Sequence, residues 1–60
     1  MKITFATDNE AFTEQGEESE EAKRAECARI LRQIATKLES GQDAGAVMDA
    51  NGNNVGKWSL

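Results

Sequence analysis

The spacing of apolar positions along this chain changes between segments, and each spacing predicts an element. Over residues 19–41 (SEEAKRAECARILRQIATKLESG), Cys27, Ile30, Leu31, Ile34 and Leu38 follow i, i+3, i+4, i+7 and i+11, with Ala28 and Ala35 widening the stripe. That is the period of an amphipathic helix. The opposite face carries Arg29, Arg32, Gln33 and Thr36, which suit hydration. Ser19 is placed to cap the first free N–H groups, and Glu20 and Glu21 stand at the positive end of the helix dipole. Lys37 lies in the last turns, and Gly41 can take the left-handed conformation just past the end. Glu20 pairs with Arg24 at i, i+4 and Glu26 with Arg29 at i, i+3, each worth roughly 0.2–0.5 kcal/mol. The stripe begins only at Cys27, so the first two turns are expected to overhang the core.

Before the helix, residues 2–7 (KITFAT) alternate with a period of two, Ile3 and Phe5 on one side and Lys2, Thr4 and Ala6 on the other, which predicts a strand. Thr7, Asp8 and Asn9 end it, and Asp8 or Asn9 is placed to cap a short helical turn of Glu10, Ala11 and Phe12. Phe12 is the bulky apolar residue of this connection and is expected to anchor it. Residues 13–18 (TEQGEE) are polar and aperiodic, and are predicted to be the most mobile internal part.

After Gly41, residues 42–45 read as a loop, 46–48 as a short strand, 49–54 as a turn and 55–60 as a last strand. Asn51 followed by Gly52 is a strong hairpin signal, because both tolerate positive φ. A two- or four-residue loop pairs Met48 with Val55. A three-residue loop with Gly52 in a G1 bulge pairs Val47 with Val55, and is preferred because it sets two β-branched residues opposite one another. Gly56 allows Trp58 to be re-aimed by a bulge or to lie under a helix.

The predicted fold is α+β, of order βαββ: one long helix on a three-stranded antiparallel sheet whose last strand lies in the middle. One sheet face meets the helix through Ile3, Phe5, Val47 or Met48, Val55 and Trp58. The other is open to water or to a second copy. The 60 residues read as a single domain, 1–60.

A chain this short buries only about 60% of its unfolded surface. A cofactor cleft of about 300–1,000 Å³ would consume much of the core, so the expectation is a non-enzymatic protein without cofactor or metal. The lone Cys27 excludes an internal disulfide framework and CxxC zinc sites, and histidine is absent. On the apolar stripe, Cys27 reads as a small buried hydrophobe. No signal-peptide core or membrane-length apolar run is present, so a cytoplasmic location is expected. The turn DANGNN fails as a calcium loop, because Gly52 is fourth rather than sixth and the twelfth residue is Leu60. The glycines form neither GxGxxG nor a P-loop. The paired carboxylates have no apolar surroundings to raise their pKa, and the serines have no histidine to activate them.

Charge adds a second pattern. The net charge is −4. Asp8, Glu10, Glu14, Glu17, Glu18, Glu20 and Glu21 place seven acids between residues 8 and 21 with no Lys or Arg among them. This stretch is either a solvated loop leading into a helix start or an electronegative surface for a basic partner, including mimicry of nucleic-acid phosphates. Direct binding of nucleic acid is disfavoured by the net charge. Glu14, Glu17, Glu18, Glu20, Glu21, Arg29, Arg32, Met48 and Trp58 are the candidate partner-binding residues. Trp58 is either a core plug or a binding anchor. Met48 falls on the open sheet face if Val47 faces the helix, which favours a homodimer or a protein partner.

The start MKI, the acidic connection, the helix ARILRQIATKLESG and the tail MDANGNNVGKWSL resemble a group of small, mostly uncharacterised proteins encoded by tailed phages and prophages. The tail pattern NGNxVGxW carries most of that resemblance and covers the last quarter of the chain. It implies no site residues. It implies a phage accessory protein that inhibits or redirects a host protein, including a defence protein, by stoichiometric binding. A structural or assembly role in a virion and an acidic DNA mimic are the alternatives.

Overall fold

The helical period is realised as α1 (Glu20–Glu39) in a computed structural model that describes residues 1–14 and 17–60. The side chains of Glu14 and Glu18 lie outside the description, as do Gln15 and Gly16, on which part of the expected mobility of residues 13–18 falls. Ser19 caps α1, its hydroxyl accepting from the Ala22 N–H at 3.2 Å. At the other end the Gly41 N–H donates to Leu38 and the Gln42 N–H to Lys37, with Gly41 at φ +101°, which consumes two of the last free carbonyls.

The remaining elements are β1 (Lys2–Phe5), a 3-10 turn (Glu10–Phe12), β2 (Thr13–Glu14), β3 (Glu17–Glu18), β4 (Ala44–Met48) and β5 (Asn54–Ser59). The main sheet has the order β1-β5-β4, antiparallel throughout, with the last strand in the middle as its βαββ order predicts. Asn9 is the residue that caps the 3-10 turn, accepting from Ala11, and Phe12 is 1% exposed, so the short connection is anchored as expected. Residues 13–14 and 17–18 differ from the expected aperiodic segment: β2 and β3 pair, Thr13 opposite Glu18 and Glu14 opposite Glu17. Thr13 starts β2 with its N–H and hydroxyl both donating to the Glu10 carbonyl.

The core consists of Phe12, Ile30, Ile34, Val47 and Trp58, with Ile3, Phe5, Ala11, Cys27, Leu38 and Val55 packed around it. The helix is rolled relative to its apolar stripe. Its buried residues are Glu26, Ile30 and Ile34, whereas Leu31 is 47% exposed and Ala35 faces solvent. At 3.6 residues per turn, the centre of the buried face lies about 55° from the centre of the Cys27–Leu38 stripe, and about 80° once Ala28 and Ala35 are included. The roll brings Glu26 to the β4–β5 turn, where it finds donors that periodicity alone does not reveal.

β4 starts two residues earlier than expected, at Ala44. The turn is the three-residue type: the Asp49 N–H donates to Asn53, the Gly52 N–H to Asp49, and Gly52 has φ +85°, a conformation in which a Cβ is strained. The preferred pairing of Val47 with Val55 is nevertheless overturned. Val47 lies opposite Gly56 and Met48 opposite Asn54, so Val55 is the extra residue of a β-bulge. The Asn54 side chain holds it by accepting from the Gly56 N–H at 3.1 Å. The bulge sets Gly56, not Val55, between Phe5 and Val47, where a Cβ would run into the main chain of β1.

Candidate binding site

Two surfaces and one polar corner surround the sheet. The corner joins α1, the β4–β5 turn and the 3-10 turn. Glu26 is 6% exposed and accepts from Arg29 Nε at 2.6 Å, Arg29 Nη2 at 3.0 Å and the Ala50 N–H at 2.7 Å. Arg29 Nη2 also donates to the Met48 carbonyl at 3.1 Å. Asp49 is 4% exposed and accepts from the Asn51 and Asn53 N–H groups at 2.9 and 2.8 Å, and from the Asn9 and Asn53 amides at 2.6 and 3.3 Å. Both carboxylates are thus saturated by internal donors, and their work is to fasten three chain segments together.

Their ionisation follows from these contacts. The Arg29 guanidinium, helped by the Ala50 N–H, holds the Glu26 carboxyl below its ordinary 4.5 against the opposing effect of burial. Burial pushes Asp49 up, but the bonds from Asn53, Asn9 and Asn51 outweigh it and leave this carboxyl below its ordinary 3.8. A carboxyl with a lowered folded-state pKa stabilises the fold above its unfolded value and loses that contribution as pH falls through the lowered one. Stability is therefore expected to be flat near neutrality and to decline below about pH 4.5. Glu26→Gln is expected to cost about 1–2 kcal/mol at neutral pH, a moderate value because Arg29 is one-third exposed. The gap to the parent protein should narrow in acid. Urea titrations followed by Trp58 fluorescence test this, and a gap independent of pH would contradict it.

The first surface is the sheet face turned away from α1. Lys2, Thr4, Ala44, Ala46, Met48, Lys57 and Ser59 are exposed there, and a trough of about 320 Å³ crosses the strands, lined by Lys2, Thr4, Ala44, Gly45, Lys57, Trp58 and Ser59. Val47 faces the helix at 2% exposure and Met48 the open side at 40%, as the alternation predicts. The second is a hollow of about 360 Å³ along α1, lined by Arg29, Arg32, Gln33, Thr36 and Lys37.

The sequence candidates are distributed unevenly over these features. Arg32 lines the helix hollow and Met48 lies on the open face. Arg29 lines the hollow too, but its guanidinium is bound to Glu26 and Met48 and is not a freely hydrated charge. Trp58 is 2% exposed and belongs to the core, the first of its two readings, with an edge of its ring at the floor of the trough. Glu17, Glu20 and Glu21 are exposed at the far end, where Glu20 lies 3.8 Å from Arg24; the side chains of Glu14 and Glu18 are outside the description. Sequence spacing predicts the Glu26–Arg29 pair and Asn9 as a cap, but not the burial of Glu26 or its bond to Ala50, the bond of Asn9 to Asp49, or the burial of Asp49. For Asp49 a signal existed, because Asp followed by Asn51 and Asn53 can fold a turn around its own carboxylate.

No protein-family model, curated protein or solved structure matches this chain. Among the described residues, no helix is long and apolar enough to cross a membrane.

Proposed function

We propose that this chain is a small protein-binding module, an accessory protein of phage type that inhibits or redirects a host protein by stoichiometric binding. The observation that carries the reading is a half-enclosed sheet. α1 covers one face, while the other face and the flank of β4 leave Ala44, Ala46 and Met48 exposed. Met48 is an apolar side chain with no role in the core at 40% exposure. The buried acids support the same reading: Glu26 and Asp49 have their oxygens occupied by donors from the chain itself.

The test is affinity capture from host lysate, followed by reconstitution with the purified partner. The expected result is a complex of fixed stoichiometry that Met48→Asp weakens without changing the thermal midpoint of the free module. Failure to isolate any stoichiometric complex would remove the reading.

A further inference from the structure

The outer edge of β4 carries no partner strand among the described residues. β4 pairs with β5 on one side only and is an edge of the sheet. In an antiparallel ladder, alternate residues direct their N–H and C=O groups to the partner and to the outside. The Leu60 N–H donates to the Asp43 carbonyl, which fixes the phase of that alternation: Gly45 and Val47 bond to β5, while Ala44, Ala46 and Met48 direct their backbone groups outward. The strand reads AGAVM, without charge or proline, so the usual protections of a free edge are missing.

The neighbouring helix face specifies what fits there. Arg29 already donates to the Met48 carbonyl, so this side of α1 lies above the β4 edge. α1 and β4 run in opposite directions, joined by the short loop after Glu39. Four residues of helix advance about 6.0 Å and two residues of strand about 6.6 Å. The helix row Arg29, Gln33, Lys37 therefore keeps step with Met48, Ala46, Ala44. The same row, with Arg32 and Thr36, lines the hollow described above. Glu26 neutralises Arg29, which leaves Arg32 and Lys37 as the excess charge of a hollow whose lining includes no acid.

The geometry points to strand addition at β4 by an extended, acidic segment of a protein partner, its backbone bonded to Ala44 and Ala46 and its carboxylates directed at Arg32 and Lys37. This rests on the protein-binding reading and narrows it to one edge and one chemistry. A second copy pairing through β4 would bring two cationic helix rows face to face. On the β1 side the chain itself turns back, the Phe12 ring lying 6.3 Å from that of Phe5.

The test uses the full chain with two short synthetic peptides, one alternating Glu and Val and the other Lys and Val. The Glu peptide is expected to slow amide hydrogen exchange at Ala44 and Ala46, and the Lys peptide to leave both unchanged. Ala46→Pro deletes only an outward N–H and should weaken binding about five- to tenfold while the internal ladder survives. Lys37→Glu, a change at a half-buried helix position that needs no new backbone conformation, should weaken the Glu peptide by a similar factor. Equal binding of both peptides, protection of neither alanine, protection at Ile3 and Phe5 instead, or self-association abolished by Ala46→Pro would each overturn the proposal. A captured partner that binds Ala46→Pro and Lys37→Glu as tightly as the parent protein removes the edge and leaves the broader reading standing. Absence of any stoichiometric partner for the parent protein removes the broader reading itself.

Discussion

Gly56→Ala is expected to abolish the folded state. Gly56 lies in the central strand, opposite Phe5 on one side and Val47 on the other. A Cβ at this position would overlap the Thr4 carbonyl oxygen, and would come 2.5 Å from Phe5 Cα and 2.6 Å from Phe5 Cβ. Two of these three obstacles are main-chain atoms, so no change of rotamer relieves them. β1 would have to leave β5, taking Ile3 and Phe5 out of the core. A cost of about 4–5 kcal/mol or more follows, in the range reserved for severe backbone or packing conflict. A domain of this length has roughly 3–9 kcal/mol in all. Gly52→Ala is the internal control: φ is +85°, but nothing lies within 4 Å of the added methyl, so only about 1 kcal/mol of backbone strain is expected. Circular-dichroism melts decide the matter. A cooperative transition for Gly56→Ala within about 1 kcal/mol of the parent protein would show that β1 and β5 do not approach as closely as described.

That glycine also marks where the fold ceases to be legible in the sequence. Local chemistry was readable: the Ser19 cap, the turn after Leu38, the Asn9 turn and the three-residue loop at Gly52 all follow from residues within a few positions of one another. The order of the strands was readable too, because a short hairpin after a returning helix leaves few ways to pair three strands. The bulge at Val55 was not. It depends on the Asn54 side chain capturing the Gly56 N–H and on Gly56 meeting β1, and the β1 contact is with a segment fifty residues away in the chain. The roll of α1 was hidden for the same reason. Apolar spacing assigns Leu31 to the core, and only the donors of a distant turn make Glu26 the better residue to bury. The proposed β4 site sits between these cases. Its uncharged run was visible, but its outward alanines and its alignment with Arg29, Gln33 and Lys37 require the register.

Trp58→Ala is expected to cost about 3–5 kcal/mol, the usual range for removing a large aromatic from a core. Trp58 is 2% exposed and is the largest of the fully buried side chains. It lies in one row across the sheet with Ile3 and Gly45, on the face covered by α1. Gly45 is the complement of the indole, since a Cβ there would come 2.9 Å from Trp58 Nε1. The row is thus shaped around one ring, and Gly45 has no side chain to fill the space that alanine would leave. Trp58→Phe separates size from polarity. Trp58 Nε1 is a buried donor without a partner among the described residues, and phenylalanine removes it. The loss of that unpaired group offsets part of the lost contact area, so Trp58→Phe should remain folded and cost about half as much as Trp58→Ala or less. Urea denaturation followed by far-ultraviolet circular dichroism measures both variants without relying on the missing indole. If Trp58→Ala melted like the parent protein and lost only partner binding, Trp58 would be an anchor on the surface and the core as described would be wrong. A core residue reverses that order: stability fails first, and binding fails only because the sheet that presents β4 is no longer formed.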